Sequence, residues 1–134
     1  MSNVESPKKN ILIVDDDPIF IKLLGSLLSD EFNILTASSG EEAIDILKGP
    51  DGDSATTATP CDLVITDLVM PGLSGFDVAE YVRGMNKASR YTPVIVLTGV
   101  ETSIEEAREH GCAAYIPKSN LNKVKSMSRI LLMR

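Results

Sequence analysis

Two apolar runs of this chain end abruptly on aspartates. Ile11-Leu12-Ile13-Val14 leads directly into Asp15-Asp16-Asp17, and Leu63-Val64-Ile65-Thr66 leads into Asp67. Continuous aliphatic and β-branched runs of this length read as strands covered on both faces. Two such strands lying parallel in one sheet bring their carboxylates together at its carboxyl edge, where open α/β sheets bind ligands. Several carboxylates crowded there need a cation or a proton to compensate them.

The rest of the chain alternates in the same manner. Strands are predicted at Asn10–Val14, Asn33–Ala37, Asp62–Thr66, Val94–Thr98 and Ala114–Ile116. Five segments of helical period lie between and after them. The first begins at Asp17-Pro18, with Asp17 as N-cap and proline at the first helical position. Its apolar stripe is Phe20, Leu23, Leu24, Leu27 and Leu28. The second begins at Ser39, with Glu42 completing a capping box. The third covers about 75–85, and the fourth is short, about 103–110, stopping at Gly111. The fifth runs over about 120–133, with Leu121, Val124, Met127 and Leu131 on one face. Five β–α repeats imply right-handed crossovers and a parallel sheet with helices on both faces. Residues 1–9 are expected to be a disordered leader and 10–134 one domain. The polar stretch from Gly49 to Pro60 is longer than the usual connection and reads as a mobile surface insertion.

Length and charge narrow the classes further. The chain has 134 residues, the size of one domain, and a net charge of −6, which argues against nucleic acid as a direct partner. Five basic and no acidic residues lie from Lys118 to the end, a solvated face compatible with a helix dipole. His110, just before Gly111, likewise suits a helix C-terminus. Cys61 and Cys112 lack metal-ligand spacing and read as buried free thiols of a reducing compartment. No apolar stretch reaches the roughly 18 residues of a membrane span, and no signal peptide is visible. A cytoplasmic protein is expected.

Two further buried runs end on polar residues: Val94-Ile95-Val96-Leu97 on Thr98-Gly99, and Ala114-Tyr115-Ile116-Pro117 on Lys118. The strand ends thus offer carboxylates, a hydroxyl and an ammonium. Oxygen-only ligands suit Mg²⁺. A carboxylate beside such a cation can act as a nucleophile toward phosphorus, while a lysine and a threonine hold phosphoryl oxygens.

These segments resemble the receiver domains of bacterial response regulators. The resemblance spans residues 10 to about 132 and rests on Val14-Asp15-Asp16-Asp17-Pro18, Asp67 through Gly75, Leu97-Thr98-Gly99 and Tyr115-Ile116-Pro117-Lys118, four elements in order at strand ends. It implies a flavodoxin-like, doubly wound α/β fold with a five-stranded parallel sheet of order 2-1-3-4-5 and five helices. It also implies that Asp67 is the phosphoacceptor, that Asp16 binds Mg²⁺ directly and Asp15 through water, and that the Val69 backbone carbonyl is a further ligand. Thr98 and Lys118 would then hold phosphoryl oxygens, Tyr115 would be the aromatic switch residue, and Gly99 would keep the phosphate accessible. The implied partners are a histidine kinase or phosphotransfer protein as donor, and a downstream protein or fused output domain. A homodimer through the fourth helix, fifth strand and fifth helix is a further expectation. Such a domain is consumed by the reaction and is not an enzyme with turnover.

The sequence departs from the family pattern in places. Ser119 follows Lys118 where the family commonly has a cis proline, and the energetics of a non-proline bond favour trans with a re-routed loop. Val69 and Val100, each two residues beyond Asp67 or Thr98, cannot orient an attacking water, so slow loss of the phosphoryl group is expected. The 98–118 segment looks short, and Ile130, Leu132 and Met133 leave apolar side chains near the C-terminus.

Two rival readings exist. Asp15-x-Asp17 resembles the nucleophile motif of haloacid-dehalogenase phosphatases, but Ile19 stands where Thr or Val is expected and no acidic pair follows the lysine. A degenerate receiver serving only as a protein-binding module fits poorly with a complete residue set. The chain reads either as a stand-alone receiver or as part of a longer regulator.

Overall fold

The computed structural model describes residues 8–49, 61–84 and 92–133. Strands β1 (Asn10–Val14), β2 (Asn33–Ala37), β3 (Leu63–Thr66), β4 (Val94–Thr98) and β5 (Ala114–Pro117) alternate with helices α1 (Pro18–Leu28), α2 (Gly40–Lys48), α3 (Gly75–Gly84), α4 (Ile104–Glu109) and α5 (Asn122–Leu132). All strand pairs are parallel and the order is β2-β1-β3-β4-β5, the expected flavodoxin-like arrangement. The expected disordered leader falls largely on residues 1–7, outside the described residues. So do residues 50–60 of the expected insertion and Met85, the expected end of the third helix.

Strand side chains alternate between two layers, and the strand sequences sort cleanly by parity. Ile11, Ile13, Leu63, Ile65, Ile95, Leu97, Ala114 and Ile116 pack with Leu24 and Leu28 of α1 and Val124 of α5. Leu12, Val14, Val64, Val94 and Val96 pack instead with Ala43 and Leu47 of α2, Val78, Ala79 and Val82 of α3, and Ala107 of α4. Both faces of the sheet are therefore covered, which is why these strands lack polar alternation.

The helix starts follow their capping chemistry. Asp17 caps α1 by accepting the Ile19 N–H at 3.0 Å, with Pro18 at the first position. Ser39 caps α2 and Ser103 caps α4, each accepting the N–H three residues on. The capping box at α2 departs from expectation: Glu42 does not reach back to Ser39 but accepts from the N–H and hydroxyl of Ser38. The α1 stripe also needs correction. Leu23 is 51% exposed, while Ile21 packs against the core. At about 100° per residue, Leu23 points well off the axis defined by Leu24, whereas Phe20, Ile21, Leu27 and Leu28 all fall nearer to it.

Other differences concern the start of β3 and the C-terminal third. β3 starts at Leu63, and Asp62 uses its carboxylate to accept the Asn10 N–H at 2.7 Å. β5 extends to Pro117, and a single 3-10 turn over Lys118–Asn120 precedes α5. The Lys118–Ser119 bond is trans, as expected. Leu132 packs against the core, so only Ile130 and Met133 are left as exposed apolar side chains there. Ser128, one turn beyond Val124, is buried with its hydroxyl unpaired, a position the apolar pattern of α5 did not mark. The basic face of α5 is partly neutralised: Lys125 meets Asp30 at 2.8 Å and Arg129 pairs with Glu31, both from the α1–β2 connection.

α4 is anchored at its C-terminal end by α3. His110 pairs with Glu80 and its ring stacks on Phe76, with centroids 4.2 Å apart. The Arg83 guanidinium donates to the Gly111 carbonyl at 2.9 Å and to that of Thr92 at 2.6 Å. Gly111 has φ +92° and lies against the Arg83 stem, where a Cβ would clash. Cys61 and Cys112 are free and buried; burial pushes their thiols up to about 12 and about 11, so both are poor nucleophiles at neutral pH.

The correction to α1 can be measured. Leu28→Ala is expected to destabilise by about 2–5 kcal/mol, and Leu23→Ala by at most about 0.5 kcal/mol, in urea unfolding. Similar losses for the two would contradict this packing of α1.

Candidate functional site

Order β2-β1-β3-β4-β5 reverses direction of growth between β1 and β3, which makes their carboxyl ends the topological switch point of the sheet. Asp15 follows β1 and Asp67 follows β3 at that point. Oxygens of Asp15, Asp16 and Asp67 all lie within 4.8 Å of one another. Asp16 is exposed, whereas Asp15 is 2% and Asp67 is 9% exposed.

Each carboxylate is held by its own backbone surroundings. Asp15 Oδ1 accepts the Asp17 N–H at 2.9 Å, and Asp67 Oδ1 accepts the Leu68 N–H at 2.8 Å. The Thr66 hydroxyl donates to the Asp67 carbonyl at 2.9 Å. The same carbonyl abuts the start of α3: a Cβ on Gly75 would stand 2.2 Å from it, so only glycine lets α3 begin this close to the aspartate.

The compensating charge is Lys118. Its Nζ lies 2.9 Å from Asp15 Oδ2 and 3.4 Å from Asp67 Oδ2, reaching from the end of β5 past β4 to β3 and β1. Burial disfavours the ammonium, but the hydrogen bond and attraction of Asp15, followed by those of Asp67, raise its pKa above the usual lysine value. For Asp67 the balance runs the other way. Burial, and then repulsion from Asp15, outweigh Lys118 and raise its pKa above the ordinary carboxylate value.

Thr98 and Tyr115 stand next to this cluster rather than in it. Thr98 is buried, and its hydroxyl accepts the Val100 N–H at 3.2 Å. Tyr115 is half-buried and packs against the α2–α3–α4 layer. Both line a cleft of about 230 Å³ together with Gly99, Val100, Glu101, Pro117, Lys118 and Ser119. Val69 and Val100 are 59% and 48% exposed. The sequence reading missed one member of the site. Phe20, assigned only to the core stripe of α1, places its ring 4.3 Å from the Lys118 Nζ. An aromatic residue one helical turn after an acidic run is the only signal that could have pointed to it.

Residues 11–129 match the family model of the response regulator receiver domain, and the chain belongs to that family. It is similar to a probable cyclic di-GMP phosphodiesterase of Vibrio cholerae, at 34% identity over 88% of this chain and 25% of that protein. It is equally similar, at 34% identity, to the transcriptional regulatory protein CpxR of Escherichia coli, over 92% of this chain and 49% of that one. The chain thus spans a quarter to about half of these relatives. Among solved structures, the response regulator TrrA of Thermotoga maritima, in complex with Mg²⁺ and a beryllium fluoride, matches with a TM-score of 0.72 and 33% identity over 92% of this chain and 99% of that one. Receiver domains of this family bind Mg²⁺ at an acidic aspartate cluster and interact with histidine kinases or phosphotransfer proteins.

The donor set here fits such an ion: three carboxylates at one point, two of them held by backbone N–H groups, supply the hard oxygens Mg²⁺ prefers. Among the described residues, no helix is long and apolar enough to cross a membrane.

The electrostatics carry a stability prediction. Asp67 has a raised pKa, so between the unfolded and folded values the folded state keeps a proton that the unfolded chain has lost. Stability from this group therefore falls as pH rises through that window. Without divalent cation at pH 7, Asp67→Asn is expected to unfold at higher urea than the parent. Lys118→Met leaves a buried Asp15 without its partner and is expected to lose on the order of 1–3 kcal/mol. Identical unfolding midpoints for parent and both variants would show that the three charges are not coupled.

Proposed function

We propose that this chain is a phosphorylation-dependent switch whose acceptor is Asp67. The observation that carries the reading is the convergence of Asp15, Asp16 and Asp67 on one point with Lys118 bridging two of them. Asp16, Asp67 and the Val69 backbone carbonyl would hold Mg²⁺ directly, and Asp15 through water. The ion supplies charge neutralisation for a phosphoryl group arriving among carboxylates.

The remaining steps belong to the chain's own groups. Asp67 attacks the phosphorus of a phosphohistidine on a histidine kinase or phosphotransfer protein. A P–O bond forms, the P–N bond breaks, and the freed imidazole takes up a proton. Lys118 is near enough to Asp67 to move onto a phosphoryl oxygen. The Thr98 hydroxyl gives up its contact with the Val100 N–H to bond another. Tyr115 follows inward along the cleft it shares with Thr98. The changed face is that of α4, β5 and α5, where Ile130 and Met133 offer exposed apolar side chains to a downstream protein, an output domain or a second copy. Residues 10–134 act as one receiver unit, in the cytoplasm, and without turnover. The net charge of −6 supports the absence of direct nucleic-acid binding.

With Mg²⁺ and acetyl phosphate, the protein is expected to gain the mass of one phosphoryl group, mapped to Asp67 as an acyl phosphate. Asp67→Asn is expected to gain none. Labelling at Asp15, or labelling that persists in Asp67→Asn, would overturn the assignment.

Val69 and Val100 bear on how long that group stays. Neither apolar side chain can orient a water for attack on phosphorus. Val69→Asn, which restores a polar group, is expected to shorten the acyl-phosphate lifetime several-fold. An unchanged or longer lifetime would refute this account of the two valines.

A further inference from the structure

The Lys118 ammonium is held from three sides. Asp15 and Asp67 take two of them, at 2.9 and 3.4 Å. The third is the face of the Phe20 ring, 4.3 Å from Nζ to the centroid, well inside the range of a cation–π contact. The ring is not a loose neighbour. Phe20 is half-buried and packs against the cluster formed by α1, α5 and the strands beneath them. Its orientation is thereby set by the core, whereas Lys118 sits on a 3-10 turn with a quarter of its side chain exposed.

This difference in rigidity matters once the carboxylates have another use. In the reading given above, Asp67 would hold a divalent cation directly and Asp15 through water. Both attractions on Lys118 would then weaken, leaving the ammonium less firmly held by the carboxylates. A four-carbon side chain with a quarter of its surface exposed would in that position move into water, where its charge is best solvated. The quadrupole of an aromatic face attracts an ammonium without binding a metal ion in its place. Of the three contacts, it is the one that would not be drawn on by a metal ion.

We propose that Phe20 is a positioning residue: its ring face keeps the Lys118 ammonium beside Asp67 when the carboxylates are engaged elsewhere. The proposal rests on the phosphoacceptor reading. It assigns to Phe20 a part in presenting Lys118 to the incoming phosphoryl oxygens.

The test compares the parent with Phe20→Leu and Phe20→Met, which keep an apolar side chain but lose the ring face, and with Phe20→Tyr, which keeps it. The first readout needs no phosphorylation. The Lys118 ε-methylene protons, assigned by comparison with Lys118→Arg, are expected to show an upfield ring-current shift in the parent and in Phe20→Tyr. That shift is expected to persist when Mg²⁺ is added and to be absent in Phe20→Leu and Phe20→Met. The second readout is the rate of labelling by acetyl phosphate at saturating Mg²⁺. Phe20→Leu and Phe20→Met are expected to be slower by about two- to fivefold, the worth of a partly exposed cation–π contact. The midpoint of the Mg²⁺ titration is expected to stay unchanged, and Phe20→Tyr to recover the rate. Urea unfolding of each variant separates a loss of fold from a loss of position.

Loss of the parent's ring-current shift on adding Mg²⁺ would overturn the proposal. So would labelling of Phe20→Leu and Phe20→Met at the parent's rate, or an equal loss in Phe20→Tyr. These results would leave the phosphoacceptor reading standing. Parent protein that takes no phosphoryl group would overturn that reading, and the proposed role of Phe20 with it.

Discussion

Repulsion among Asp15, Asp16 and Asp67 is the constraint around which the carboxyl edge of this sheet is arranged. Two of these carboxylates are almost wholly buried, in a place where unpaired charge is costly. The backbone offsets part of the cost through the Asp17 and Leu68 N–H groups, and Lys118 offsets more by bridging Asp15 and Asp67. The bridge is possible only because β5 follows β4 at the edge of the sheet and because the lysine stem is long enough to pass a strand. Topology and electrostatics therefore depend on each other: the order β2-β1-β3-β4-β5 creates the crowding and also delivers the cation that relieves it.

The pleat carries this division beyond the strands. Asp15, Asp67 and Lys118 continue the parity of Ile13, Ile65 and Ile116, whose layer is shared with α1 and α5. Thr98 continues the parity of Val94 and Val96, and Tyr115 packs in the opposite layer with α2, α3 and α4. The charged cluster and the proposed switch pair thus sit over different layers of the core, and Lys118 meets both by lining the cleft with Thr98 and Tyr115. α4 is tied to α3 at its C-terminal end through His110, Glu80 and Phe76, while its N-terminal end is held by the Ser103 cap and by Ile104 against the core.

Most of this frame was legible because it depends on pattern. Buried strands read as continuous apolar runs, their polar terminators fall at one edge, and caps such as Asp17 and Ser39 act through local hydrogen bonds. What was not legible depends on the direction of individual side chains. Leu23 satisfies an apolar count but points away from the sheet, and Ser128 is polar yet faces the core. Glu42 finds Ser38 instead of Ser39 because the approach of the chain to the helix, not its spacing, selects the partner. Phe20 belongs to the same class: its place in the stripe was evident, but its contact with Lys118 arises from a residue 98 positions away in the chain.

That the compensating cation is a lysine is itself informative. A guanidinium would bind Asp15 and Asp67 with a rigid fork and would be hard to detach, whereas an ammonium is a point charge whose three donors rotate freely. A partner of the second kind can bridge Asp15 and Asp67 and still shift between their oxygens. The stem of Lys118 is partly exposed, its turn lies outside the strand proper, and its neighbours include an aromatic face that competes with no metal ligand. Each of these features leaves the ammonium less rigidly placed than the carboxylates it meets. The pairing thus compensates two buried carboxylates without locking them into one geometry, which a bidentate guanidinium would do.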